Sequence, residues 1–217
     1  AAARGKGLGS AREWWKGFLT SMTQRSLVSL GGDRFVLCYS REEDGGCAAA
    51  TAGADAGATA AAAAEAGRPA HDPRSLPALP WGTPQRFHRG RVRRVEVERL
   101  APDRFALCFE RGSDAARSVA CTLGLLAGGG EGSELQSFGD AMVVGPGRLI
   151  SITVAGAGRR FAACLHGPTR PQPGAAAPAT LAGGRGPISC RWLEVADVPG
   201  GRPRLRRGEQ GGIAVTL

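Results

Sequence analysis

The sequence predicts an all-β fold: about three four-stranded, propeller-like blades in an open array, preceded by a short N-terminal helix. Three observations carry this expectation. One hexad is written three times, as Arg34-Phe35-Val36-Leu37-Cys38-Tyr39, Arg104-Phe105-Ala106-Leu107-Cys108-Phe109 and Arg160-Phe161-Ala162-Ala163-Cys164-Leu165. The flanking features recur in the same order around each copy. Finally, the hexad is apolar on both parities. Phe35, Leu37 and Tyr39 point one way and Val36 and Cys38 the other, as in a strand covered on both faces.

Each element has its own justification. The first strand of each unit is a β-type run at 26–30, 92–100 and 149–154. Tight-turn signals follow at Gly31-Gly32-Asp33, Ala101-Pro102-Asp103 and 155–158. The hexad is the second strand. The third carries a further cysteine, at Cys47, Cys121 and Cys190. The fourth ends near a glycine after a bulky residue: Trp81-Gly82, Phe138-Gly139 and, more weakly, Arg207-Gly208. The units span 26–90, 91–147 and 148–212, and 213–217 reads as the opening of a fourth. Their spacing exceeds the roughly 40–50 residues of a blade. The excess lies in two Ala-, Gly- and Pro-rich insertions at 48–75 and 167–187, which bury little and belong on the surface. The alanine tract leaves the first unit without a clear third strand.

A hydrophobic run, a turn, Arg-x-Val-x-Cys-Tyr, a further Cys and then Leu-x-Phe-Gly is also a family pattern. In this order of features the chain resembles the β-repeat arrays of large algal and protist proteins. These are similar in turn to propeller proteins with a Phe-Gly in each blade. The resemblance covers 26–217 and is most specific over 135–165, "LQSFGDAMVVGPGRLISITVAGAGRRFAACL". It implies scaffold and contact roles rather than a defined activity. Three copies fall short of the roughly four blades of the smallest closed propeller, so the array is expected to stay open.

The six cysteines fall as first and second members of each unit. This placement fits pairing of Cys38 with Cys47, Cys108 with Cys121 and Cys164 with Cys190, because neighbouring antiparallel strands bring facing residues within disulfide reach. The alternative is cysteine as a small buried hydrophobe. Oxidation would imply an extracellular or lumenal site. With no C-x-x-C and no nearby histidine, no tetrahedral metal set is expected, and no cofactor.

Lys plus Arg number 28 against 19 Asp plus Glu, a net charge of +9. Lys6 and Lys16 are the only lysines, so the excess is arginine, of the kind a GC-rich genome imposes. Two clusters stand out, Arg86, Arg89, Arg91, Arg93 and Arg94 between the first and second units, and Arg202, Arg204, Arg206 and Arg207 near the end of the third. They read as solvated faces or as contacts for an acidic protein or anionic lipid. RNA recognition is less favoured, because only Phe87 is interleaved for base stacking. Residues 1–25 read as a basic arm with an amphipathic helix. Trp15, Phe18, Leu19 and Met22 fall on one face of it, with Trp14 adjacent, ready to pack on the repeats or dock on a partner or membrane interface.

No catalytic constellation emerges. "GKGLGS" (5–10) lacks the order and preceding strand of a phosphate loop. His71, His88 and His166 have no carboxylate or nucleophile at a local spacing. No apolar run reaches the roughly 18 residues of a membrane-spanning helix. The missing initiator Met and signal-like segment read as a mature or trimmed product.

The expected function is therefore a non-enzymatic, structural or accessory protein-interaction subunit of a larger assembly, with a membrane-bound organellar complex as one setting. A fragment of a secreted or cell-surface β-repeat protein binding glycans or ligands is the second reading. Nucleic-acid binding through the arginine clusters is the third. An organellar or extracellular location is favoured over the cytosol.

Overall fold

The structure, a computed structural model, describes residues 22–52, 81–113, 116–127, 134–167, 188–198, 202–208 and 214–215. All regular structure among them is strand, in three antiparallel sheets, none of them closed. Of the arm expected at 1–25 with its helix, residues 1–21 lie outside the described residues, and Gln24 and Arg25 open the first strand instead. Met22, half-buried, stands just ahead of the first strand.

The first sheet has the order β1 (Gln24–Gly31), β2 (Arg34–Ser40), β3 (Asp44–Thr51) and β4 (Gln85–Arg89). The second runs β5 (Val92–Ala101), β6 (Arg104–Arg111), β7 (Ser118–Leu126) and β8 (Leu135–Phe138), with β9 (Met142–Pro146) also paired to β7. The third runs β10 (Arg148–Ala155), β11 (Arg160–His166), β12 (Ile188–Ala196) and β13 (Arg204–Arg207), with β14 (Ala214–Val215) on β12. Residues 214–215, read in the sequence as opening a fourth unit, thus pair inside the third sheet.

The units are equivalent down to single hydrogen bonds. The residue before each hexad accepts an amide from the end of the third strand: Ala52 N–H to Asp33 O at 2.7 Å, Leu126 to Asp103 at 2.9 Å and Val195 to Arg159 at 2.9 Å. The glycine after each bulky residue donates to the third strand two positions past its cysteine. These bonds are Gly82 to Ala49 O at 2.8 Å, Gly139 to Leu123 O at 2.9 Å and Gly208 to Trp192 O at 3.0 Å. Trp81, Phe138 and Arg207 themselves pair with Ala50, Gly124 and Leu193. Arg207-Gly208 therefore holds the same place as the aromatic-glycine pairs, although its side chain is charged.

After this glycine the fourth-strand position resumes as a second half-strand, β4, β9 or β14. Gly90 (φ 103°) and Gly147 (φ 126°) end the first two halves in a left-handed conformation that glycine adopts at least cost. Their amides donate to Glu43 O at 2.8 Å and Arg117 O at 3.1 Å. Each then delivers the chain to the first strand of the next sheet.

The alanine tract corrects one expectation. Ala48, Ala49 and Ala50 lie within β3, are 0–1 % exposed, and pair with Leu37, Val36 and Phe35. Alanine has little β propensity of its own. Here its small side chain fits beside the large ones of β2, and burial decides the outcome.

Two cores separate the three sheets. Val36, Cys38, Cys47 and Ala49 of the first sheet pack with Val95, Val97, Phe105, Leu107 and Phe109 of the second. Ala106, Cys108, Cys121 and Leu123 of the second pack with Ile152, Phe161, Ala163 and Leu165 of the third. The two parities of β6 thus serve two cores, and burial of each phenylalanine contributes about 1.5–3 kcal/mol. The first strands are also bonded directly: Ser26 Oγ accepts Val97 N–H at 3.1 Å, and Arg94 Nη2 donates to Ile150 O at 2.7 Å.

Candidate interaction surface

Antiparallel register sets Cys38 opposite Cys47, Cys108 opposite Cys121 and Cys164 opposite Cys190. Each pair is joined as a disulfide between second and third strands, with Cα atoms 4.0, 4.1 and 4.0 Å apart. Because side chains alternate along a strand, hexad position also fixes direction. The Phe-type positions face the preceding sheet and the cysteine faces the following one. Cys38–Cys47 accordingly lies against the second sheet, and Cys108–Cys121 against the third, all four residues being 0 % exposed. Cys164–Cys190 lies on the far face of the third sheet and is only half-buried.

That far face repeats the build of the sealed ones. Trp192 occupies the position of Ala49 and Leu123, and Ala162 that of Val36 and Ala106. Ser151, opposite Cys164, stands where Ser26 stands opposite Cys38, and Thr153 where Val28 stands opposite Val36. Thr153 is exposed, and Ser151 and Trp192 are half-buried.

At the opposite end the first sheet turns Phe35, Leu37 and Tyr39 away from the second. Leu37 and Tyr39 are nonetheless buried, at 9 % and 5 % exposure. Burial pushes the Tyr39 hydroxyl above its ordinary range, with Arg41 and Arg86 acting against the shift and Asp44 adding to it. The guanidinium of Arg41 lies 5.3 Å from the Tyr39 ring centroid.

One polar position went unread in the sequence. Two residues after the hexad cysteine come Ser40, Glu110 and His166, at or next to the end of the strand, and that repeated polarity was the available signal. Ser40 Oγ reaches Arg93 O at 3.5 Å in the next sheet. Glu110, buried, accepts Leu149 N–H at 2.9 Å and lies 3.6 Å from Arg117 Nη1. Ser40 and Glu110 thus join the first and second sheets to the entry of the next.

The arginine clusters occupy different parts of the unit. Arg86 and Arg89 lie on β4 and Arg93 and Arg94 on β5, with Arg91 exposed just before it. Arg204, Arg206 and Arg207 lie on β13, in the other half of the fourth-strand position, and Arg202 is exposed just ahead of them. Arg86 pairs with Asp44 at 3.3 Å, Arg94 with Glu96 at 2.9 Å, and Arg207 Nη2 donates to Val143 O at 3.4 Å. The Arg86–Asp44 pair thus lies within the first sheet and Arg94–Glu96 within β5, while Arg94 also reaches Ile150 O of the third sheet. His88 lies on Phe109, ring centroids 5.1 Å apart, and burial with the Arg111 guanidinium holds its imidazole below the usual range. Trp14, Trp15, Phe18 and Leu19 fall outside the described residues.

Asp140, Arg202 and Arg204 line a surface cleft beside Phe138. Among the described residues lining it, Asp140 is the one carboxylate. Among the described residues, no group of three or more His, Cys, Asp or Glu side chains is arranged to hold a metal ion. Comparison with protein-family models, curated proteins and solved structures finds no match.

Proposed function

We propose that the chain is a non-catalytic β-repeat module that works as a structural, protein-binding subunit of a larger assembly. The three sheets read as consecutive blades of an open, propeller-like array of the algal and protist repeat type. The chain leaves one sheet by its fourth-strand position and enters the next by its first strand. The single observation carrying this reading is the third sheet, whose outward face has the build of the two faces buried between sheets, yet leaves Thr153 exposed and Ser151, Cys164, Cys190 and Trp192 half-buried, with Ala162 buried. Such a face is suited to protein contact.

Three disulfides support a lumenal or extracellular setting. A membrane-bound organellar complex is one such assembly, and the exposed Arg202, Arg204 and Arg206 suit an acidic protein or anionic lipid neighbour. The same disulfides favour a second reading, a segment of a secreted or cell-surface β-repeat protein. Nucleic-acid binding has less support, since Arg86 and Arg94 are already paired with carboxylates.

Affinity purification from the native source under mild extraction, followed by mass spectrometry and light scattering, tests the proposal. Stoichiometric partner proteins are expected. A free monomer would contradict it.

A further inference from the structure

We infer that the far face of the third sheet is the docking site for a further four-stranded sheet of the same repeat build, carried by a neighbouring protein. The inference rests on the assembly reading above and names the surface and its occupant.

The contact between first and second sheets recurs between second and third with the same positions on each side. A disulfide, the hexad residue two before its first cysteine and the third-strand residue two after its second cysteine form the receiving face. The incoming sheet brings alternate apolar residues of its hexad strand: Phe105, Leu107 and Phe109 in one case, Phe161, Ala163 and Leu165 in the other. The third sheet carries the receiving set again, as Ala162, Cys164, Cys190 and Trp192. Ser151 stands where Ser26 accepts the Val97 amide of the next sheet. What fits this face is therefore a strand with apolar side chains every second residue, led by a phenylalanine, beside a first strand offering an amide to Ser151.

Sheet three already has strands at both halves of its fourth-strand position, β13 and β14, so no described strand is left over to cover it. A second copy of this chain is a poor occupant. Its matching surface would be Phe35, Leu37 and Tyr39 of the first sheet, and Leu37 and Tyr39 are already buried within the chain. The recurring contact calls for a sheet whose own hexad face is free to dock, which we assign to a neighbouring protein with the same repeat.

The test places a photo-crosslinking phenylalanine analogue at position 192 of the full chain, expressed in its native source. Crosslinked peptides are then sequenced from the purified assembly. The expected product joins position 192 to a peptide of another protein containing an Arg-(Phe/Val)-x-x-Cys-type strand. A product with a peptide lacking that pattern, with another copy of this chain or within the same polypeptide overturns the inference, as does no product. Trp192→Glu, checked for retained disulfides and β circular dichroism, is expected to reduce partner recovery about tenfold or more. Leu27→Glu, at an exposed residue of the first sheet, should leave recovery unchanged. If partners co-purify but the position-192 product is absent, the docking site fails while the assembly reading stands. If the chain is a free monomer, both fail.

Discussion

Glu110 Oε1 accepts the main-chain N–H of Leu149 at 2.9 Å, from a residue only 4 % exposed. The bond ties the end of one hexad strand to the start of the following sheet. Its partners are distant in sequence, so it forms only when second and third sheets dock. Removing the carboxylate leaves a buried amide without its acceptor, which costs about 2–3 kcal/mol. Glu110→Ala is expected to lower stability by that amount in urea unfolding. Glu110→Gln, which keeps an acceptor of the same shape, should cost about 1 kcal/mol. Equal losses would show that the carboxamide cannot substitute and that charge, not the acceptor, governs the junction.

Gly158 tests the same junction from the backbone side. Its φ is +79°, and a Cβ there would run into the Leu100 carbonyl of the second sheet. Gly156, two residues earlier, has φ +63° but open space around it. Gly156→Ala should cost only the left-handed backbone term, about 1 kcal/mol. Gly158→Ala adds the clash and should cost about 2–4 kcal/mol. Thermal unfolding of the two variants separates turn strain from loss of sheet contact.

His88 gives the chain a pH dependence of defined sign. Burial, then Arg111, lowers its folded pKa beneath the ordinary imidazole value. A group depressed in the folded state contributes stability above its unfolded pKa and loses it as pH falls. Stability should therefore decline as pH falls through the ordinary imidazole range, where the unfolded chain takes up a proton that the folded site resists. His88→Phe, which keeps a ring against Phe109, should flatten that decline. An unchanged slope in urea midpoints would assign the effect elsewhere.

Much of this architecture was legible because the repeat writes direction into alternation. Phe105, Ala106, Leu107, Cys108 and Phe109 show two apolar parities, and the structure uses both, one per core. The aromatic-glycine marker located the fourth strand even where Arg207 replaces the aromatic, because the Gly208 amide keeps the bond. The alanine tract misled, since Ala48–50 carry little propensity and gain their strand from burial beside β2. A short apolar run such as 213–217 does not say whether it ends one sheet or opens another; residues 214–215 pair with β12. Glu110 was not legible as a site because a lone carboxylate after a strand usually faces water. Only the third dimension sets Leu149 beside it.

Graded reduction of the folded chain, with alkylation and peptide mapping at each step, tests most directly whether the sheets stack with each disulfide against the next. Cys164–Cys190 should open first, on the half-exposed face, while Cys38–Cys47 and Cys108–Cys121 resist until the sheets separate. Opening of either buried pair before Cys164–Cys190, in protein that is still folded, would contradict the stacking.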